Sequence, residues 1–438
     1  MSDLLDAVRA GAETAELLDC ELPTRFRAAF TLKDEVGIFE GETDKDVRRS
    51  LHVGEVEMPE LAPDECVVAV MSAAINFNTV WSAIFEPIPT FAFLEKFGRQ
   101  GWNGARHDLP YHILGSDGSG VVVRTGIGVK HWKVGDKVVI SPSYVDEEDH
   151  ASYDDGMMTE TQLAWGFETN FGSLGEYCIV KANQLIKKPR HLSWEESASN
   201  TLCASTAYRM LVGRHGARMK QGDVVLVWGG TGGLGGYATQ LVKNGGGIPV
   251  AVVGSDEKAD LVRAQGCEHV INRNDLELGE QGFRHPKAGR ILGEAVRRLV
   301  GEDPQIVFEY LGRETFGASV YVAKRGGKIV TCGSSTGYRH EYDNRFLWMR
   351  LKSIIGSHGF NYNEAVETNR LISLGMIHPT LSQVFPLEGA AEATRVVQTN
   401  QHIGKVAVLC AAQEENLGID DHALRERIGE DKINLYRR

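Results

Sequence analysis

The stretch Val224-Val-Leu-Val-Trp228-Gly229-Gly-Thr-Gly232-Gly233-Leu-Gly235 decides how this chain is read. Its first five residues are apolar and mostly β-branched, as suits a strand buried on both faces. The glycines that follow permit a tight turn and leave the backbone bare where a pyrophosphate would approach. A helical run then continues to Lys243, so a phosphate would meet unpaired N–H groups at a helix N-terminus. Gly229, Gly232, Gly233, Leu234 and Gly235 are the expected cofactor contacts. The competing reading is a tight strand-to-helix turn without ligand.

Outward from this loop, strand-like and helical segments alternate. Ser193 stands three residues before Glu196 and forms a capping-box start. Strands are expected near 249–253, 269–271, 306–309 and 328–332, with helices between them. Such alternation predicts βαβ units on a doubly wound parallel sheet, a Rossmann domain over residues 196–355. The second strand selects the nicotinamide. An NAD site presents Asp or Glu at that strand's end to hold the ribose 2′-hydroxyl. Here Val250-Ala-Val-Val253 runs into Gly254-Ser255, with acids only at Asp256 and Glu257. The small pair leaves room for a 2′-phosphate that Ser255 and Lys258 would hold, so NADPH is expected.

Before Pro189 the character differs. Short β-like runs such as Cys66-Val-Val-Ala-Val-Met71 and Lys137-Val-Val-Ile140 are punctuated by turns. Residues 1–18 read as one short amphipathic helix, and the acidic segment 145–160 reads as a solvated loop. Strand-like Val406–Cys410 returns to the first domain, which is expected to comprise 1–195 and 356–438. A chain of 438 residues is long enough for two such cores. Its formal charge of −12 argues against a broad nucleic-acid surface. Neither a membrane-spanning run nor a secretory leader is visible, so the cytoplasm is expected. The seven cysteines are scattered and read as free thiols, with no metal cluster.

A β domain before a late Rossmann unit resembles the medium-chain dehydrogenase/reductase superfamily, whose first domain is GroES-like. Gly115-Ser-Asp-Gly-Ser-Gly120 resembles that superfamily's Gly-His-Glu region. Ser116 stands where the zinc enzymes carry a His ligand, which implies no metal and a reduction of an activated C=C bond. A narrower resemblance, to crotonyl-CoA carboxylase/reductases, lies in several motifs. They include Asn76-Phe-Asn78-Thr-Val-Trp-Ser-Ala-Ile-Phe-Glu86-Pro, Trp165-Gly-Phe167-Glu168-Thr-Asn-Phe-Gly172 and Gly312-Arg-Glu-Thr-Phe-Gly-Ala-Ser319. Glu341-Tyr-Asp-Asn-Arg345-Phe-Leu-Trp-Met349 and Ile355-Gly-Ser-His358 extend it.

This resemblance implies NADPH-dependent reduction of a trans-2-enoyl-CoA with carboxylation by carbon dioxide, giving an alkylmalonyl-CoA. It implies a carbon dioxide pocket of Asn78, Phe167, Glu168 and His358. Arg345 is the expected cation for coenzyme A. Ala164 and Gly359 stand where the four-carbon enzymes resemble each other in carrying Ile and Phe, so a longer acyl chain, hexenoyl to octenoyl, is expected. A homo-oligomer, tetramer or dimer, is implied as well. The competing activity is plain enoyl-CoA reduction, with the enolate protonated.

Overall fold

The structure, a computed structural model, describes residues 3–437. The glycine-rich loop leaves the strand Val224–Trp228, which lies inside a six-stranded sheet. The order across that sheet is His269–Asn272, Ile248–Val253, Val224–Trp228, Ile306–Glu309, Lys328–Thr331, Ser353–Gly356, and every neighbouring pair is parallel. This is the doubly wound order, with its switch point beside the loop.

Alternation along Val224–Trp228 serves two cores at once. Val225 and Val227 pack with Tyr237 and Leu241 on one face. Val224, Leu226 and Trp228 pack with Leu292, Val296 and Phe316 on the other. Burying each such side chain contributes about 1.5–3 kcal/mol, and no face is left for a polar residue. One buried carboxylate is accommodated. Glu309 accepts from Thr315 and Ser319 and from the N–H groups of Leu311 and Gly312. The chain from Leu311 to Ser319 therefore satisfies a buried carboxyl group inside the sheet domain.

The other large sheet is mostly antiparallel and is centred on Glu65–Ile75, buried along its whole length. It is flanked by Gly118–Thr125, Tyr177–Lys181 and, late in the sequence, Lys405–Leu409 followed outward by Leu381–Pro386. The chain thus returns to its first sheet at Leu381. Between the sheets, the helix Tyr362–Ser373 lends Ile372 to the cluster that holds Val225 and Tyr237, while Phe360 and Ala365 pack with Val139 and Ile186.

Two local expectations are corrected. The single helix expected over 1–18 is instead two, Leu4–Arg9 and Thr14–Asp19, because Gly11 turns between them with φ near +71°. The segment 145–160 is not a wholly solvated loop. It holds a short helix, Ser152–Asp155, and Asp155 is buried against Arg209.

Candidate active site

The phosphate loop is built so that side chains cannot enter it. Gly229 takes φ near +59°, and Tyr310 donates its hydroxyl to the Gly229 carbonyl at 2.9 Å. A Cβ on Gly235 would lie 2.1 Å from that same carbonyl oxygen, so only glycine lets the helix approach the strand. Gly232 caps the twelve-residue helix Gly233–Asn244 without a side-chain acceptor. Its first N–H groups stay available to an anion. Gly404 donates to Thr231 at 2.8 Å and ties the loop to the returning chain.

At the end of the second strand stand the small residues Gly254 and Ser255. Ser255 Oγ accepts from the Lys258 amide at 3.3 Å and starts the helix Asp256–Ala264. The Asp256 carboxylate is engaged by Asn272 at 2.8 Å. Over Gly254 lies the guanidinium of Arg273, whose Nε would be 3.2 Å from a Cβ there. Arg273 escaped sequence reasoning because it enters from the third strand, and its only signal is a position just beyond that strand's end.

At the C-terminal ends of Lys328–Thr331 and Ser353–Gly356 opens a cavity of about 630 Å³. His358, Trp81, Met157 and Cys332 are among the residues that line it. Trp81 lies on the helix Phe77–Ile84, one turn beyond Asn78. The Asn78 amide donates to Ser116 Oγ at 2.9 Å and accepts from it at 3.2 Å, so its plane is fixed. Below it, Asn76 donates to Asp117, which also accepts from the Leu202 amide and the Lys405 ammonium. Burial pushes the Asp117 carboxyl up, and Lys405 opposes the shift.

Glu168 Oε2 accepts from the Ala164 amide at 2.8 Å, closing the turn that carries Phe167. Phe167 packs against Phe93 with ring centres 6.0 Å apart. Asn78 and Glu168 are thus held by their own neighbours while His358 stands on the cavity wall. Among the described residues no hydrogen bond joins the three to one another. Gly359 adopts φ near +52°, a conformation costly for a side chain. A Cβ there would meet the Met157 methyl at 2.9 Å. Ala164 is half-buried in the short ladder with Ser143. Arg345 is exposed, and both Asp343 oxygens hold its guanidinium.

A zinc ion does not fit this site. Ser116 spends its hydroxyl on Asn78, and among the described residues no group of three His, Cys, Asp or Glu could hold a metal.

Two family profiles match the two halves. Residues 62–190 match "Alcohol dehydrogenase GroES-like domain" and residues 233–373 match "Zinc-binding dehydrogenase". The crotonyl-CoA reductase of Streptomyces collinus is 52% identical over 444 aligned positions, covering 100% of this chain and 99% of the relative. The chain belongs to the crotonyl-CoA carboxylase/reductase family. The crotonyl-CoA carboxylase/reductase of Cereibacter sphaeroides is 38% identical across 86% of each chain. Among solved structures, the 2-octenoyl-CoA carboxylase reductase CinF, from a Streptomyces species, was determined with NADP and 2-octenoyl-CoA. It is 57% identical and superposes with a TM-score of 0.97 over 100% of this chain and 99% of its own.

Proposed function

We propose that the protein reduces a trans-2-enoyl-CoA with NADPH and carboxylates it to an alkylmalonyl-CoA, favouring acyl chains longer than crotonyl. The observation that carries this reading is the full-length likeness to an enzyme solved with NADP and 2-octenoyl-CoA, together with small residues at Ala164 and Gly359. When bound, NADPH supplies a hydride to Cβ of the thioester. The bare loop Gly229–Gly235 would hold its pyrophosphate, and Ser255, Lys258 and Arg273 would hold its 2′-phosphate.

Hydride addition leaves negative charge on the thioester enolate, which then takes either a proton or carbon dioxide at Cα. The chain's task is to hold carbon dioxide there and exclude water. An amide nitrogen carries two hydrogens. Asn78 spends one on Ser116, so its other is free, in a fixed direction, for a carbon dioxide oxygen. Glu168 keeps Oε1 for His358 or a bridging water, since Oε2 is taken by the Ala164 amide. Phe167 shields this pocket. These groups position the reactant and stabilise the carboxylate as it forms. Arg345 would receive a coenzyme A phosphate by releasing Asp343.

We assign residues 1–195 and 356–438 to the GroES-like domain and 196–355 to the Rossmann domain. We also propose that two copies pair through the outermost strand Ser353–Gly356. That strand is solvent-facing, and Trp348, Leu351 and Ile354 beside it are 62%, 66% and 37% exposed. An unpaired edge flanked by apolar side chains is a template for a second copy. Among the described residues no helix is long and apolar enough to cross a membrane. Seven free cysteines, most of them buried, suit a reducing compartment, and we place the protein in the cytoplasm.

The test is NADPH oxidation with crotonyl-CoA and octenoyl-CoA, with and without bicarbonate plus carbonic anhydrase, followed by product mass. Alkylmalonyl-CoA formed faster from octenoyl-CoA is the expected result. Saturated acyl-CoA alone under saturating carbon dioxide would overturn the carboxylating role, and faster turnover of crotonyl-CoA would overturn the chain-length preference.

A further inference from the structure

The room left by Gly359 is not empty. Its missing Cβ points at Met157, whose methyl carbon would lie 2.9 Å and whose sulfur 3.8 Å away. Met157 also lines the same cavity as His358 and Trp81. The volume gained by a glycine at residue 359 is therefore at the disposal of one thioether.

The backbone beneath that thioether is fixed. Met157 lies in the single turn Gly156–Met158, and its amide donates to Asp155 Oδ1 at 3.1 Å. The Asp155 carboxylate is gripped by Arg209 at 2.8 Å and by Asn361 at 3.2 Å. Burial drives that carboxyl up and the Arg209 guanidinium more than reverses it, so its pKa is lowered and the grip persists. An unbranched side chain with three soft torsions thus stands on a rigid stalk. Methionine fills irregular gaps at little rotamer cost and yields them as readily.

We propose that Met157 is a specificity-determining residue that gauges the acyl chain, an inference resting on the enoyl-CoA reading above. Over a short chain its methyl rests against Gly359 and closes the cavity. A longer chain turns the thioether aside and takes its place against the bare backbone of Gly359. Chain-length tolerance then arises from a movable wall, and the glycine at 359 supplies the space into which it moves.

The measurement is the ratio of kcat/KM for octenoyl-CoA to that for crotonyl-CoA, read from NADPH oxidation in the full-length protein. Met157→Ala removes the wall and raises the ratio about threefold, roughly the worth of one buried methylene. Met157→Phe sets a stiff ring over Gly359 and lowers it by about tenfold or more. Met157→Leu, of similar volume but branched, falls between wild type and Met157→Phe. Gly359→Ala pushes the methyl into the cavity and lowers the ratio, and adding Met157→Ala relieves that loss because the contact has gone. Ratios within about twofold of wild type in both the Ala and Phe variants, or equal losses on both substrates, would overturn the gauge. The ratio decides the gauge whether or not the product is carboxylated. A wild-type protein that oxidises NADPH with neither thioester would overturn the gauge and the enoyl-CoA reading together.

Discussion

At Gly254 the absence of a side chain matters because Arg273 occupies the space above it. In the reading proposed above, Arg273 and Lys258 are the two cations that would meet a 2′-phosphate, while the Asp256 carboxylate is engaged by Asn272. Charge-assisted hydrogen bonds of this kind contribute about 1.5–3 kcal/mol each. Arg273→Ala and Lys258→Ala should therefore each raise the KM for NADPH by about tenfold or more, and the KM for NADH far less. Equal effects on both cofactors would deny them the phosphate. Asn78 offers the sharper test of the carbon dioxide pocket. Asn78→Ala removes one oriented donor, which elsewhere costs about a hundredfold in the step it serves. Product mass should shift from alkylmalonyl-CoA toward saturated acyl-CoA while NADPH is still consumed. The glycine loop could be recognised from sequence because every residue of it is local. Arg273 could not, since it reaches the loop only once the third strand is laid beside the second.

Among the elements, Arg209 joins three that are distant in sequence. From the helix Thr201–Leu211 it binds Asp155 of the inserted segment and Glu364 at the start of Tyr362–Ser373, all with side chains almost fully buried. Composition alone reads 145–160 as a solvated charge run, because nothing in that segment announces a guanidinium more than fifty residues later. The capping boxes at Ser193 and Asn361 have their partners three residues away, and the former was legible for that reason. Arg209→Met would leave two buried carboxylates uncompensated, at about 3–5 kcal/mol. Replacing Asp155 and Glu364 by Asn and Gln in the same chain should recover most of that loss in urea unfolding. No recovery would mean that Arg209 acts through packing alone. The edge strand allows a second test at this scale. Ile354→Lys places a charge on a surface that would otherwise meet its copy, and sedimentation should show a smaller species than wild type if the edge is the interface.

For the molecule as a whole, fold class was legible from one loop and its alternating surroundings, whereas the polar interior was not. His107, His112 and His191 are each at most 2% exposed. Burial pushes their pKa values down to about 3, 4 and 4. The unfolded chain carries the same rings near their ordinary value of about 6.5. Between about pH 6.5 and pH 4 the unfolded state therefore binds protons that the folded state refuses. Their contribution is fully present above the unfolded value and is lost as pH falls toward the folded ones. Each ring adds a slope of at most about 1.4 kcal/mol per pH unit. The unfolding free energy from urea titrations should accordingly drop steeply between pH 6.5 and pH 4.5. His191 isolates one share of that slope. Neither of its ring nitrogens has a hydrogen-bond partner among the described residues, so the ring bears a desolvation cost without return. His191→Leu should leave stability at pH 7 unchanged or higher and should flatten the acid limb by about one proton. A steeper acid limb, or a loss of several kcal/mol at pH 7, would mean that another group holds the imidazole.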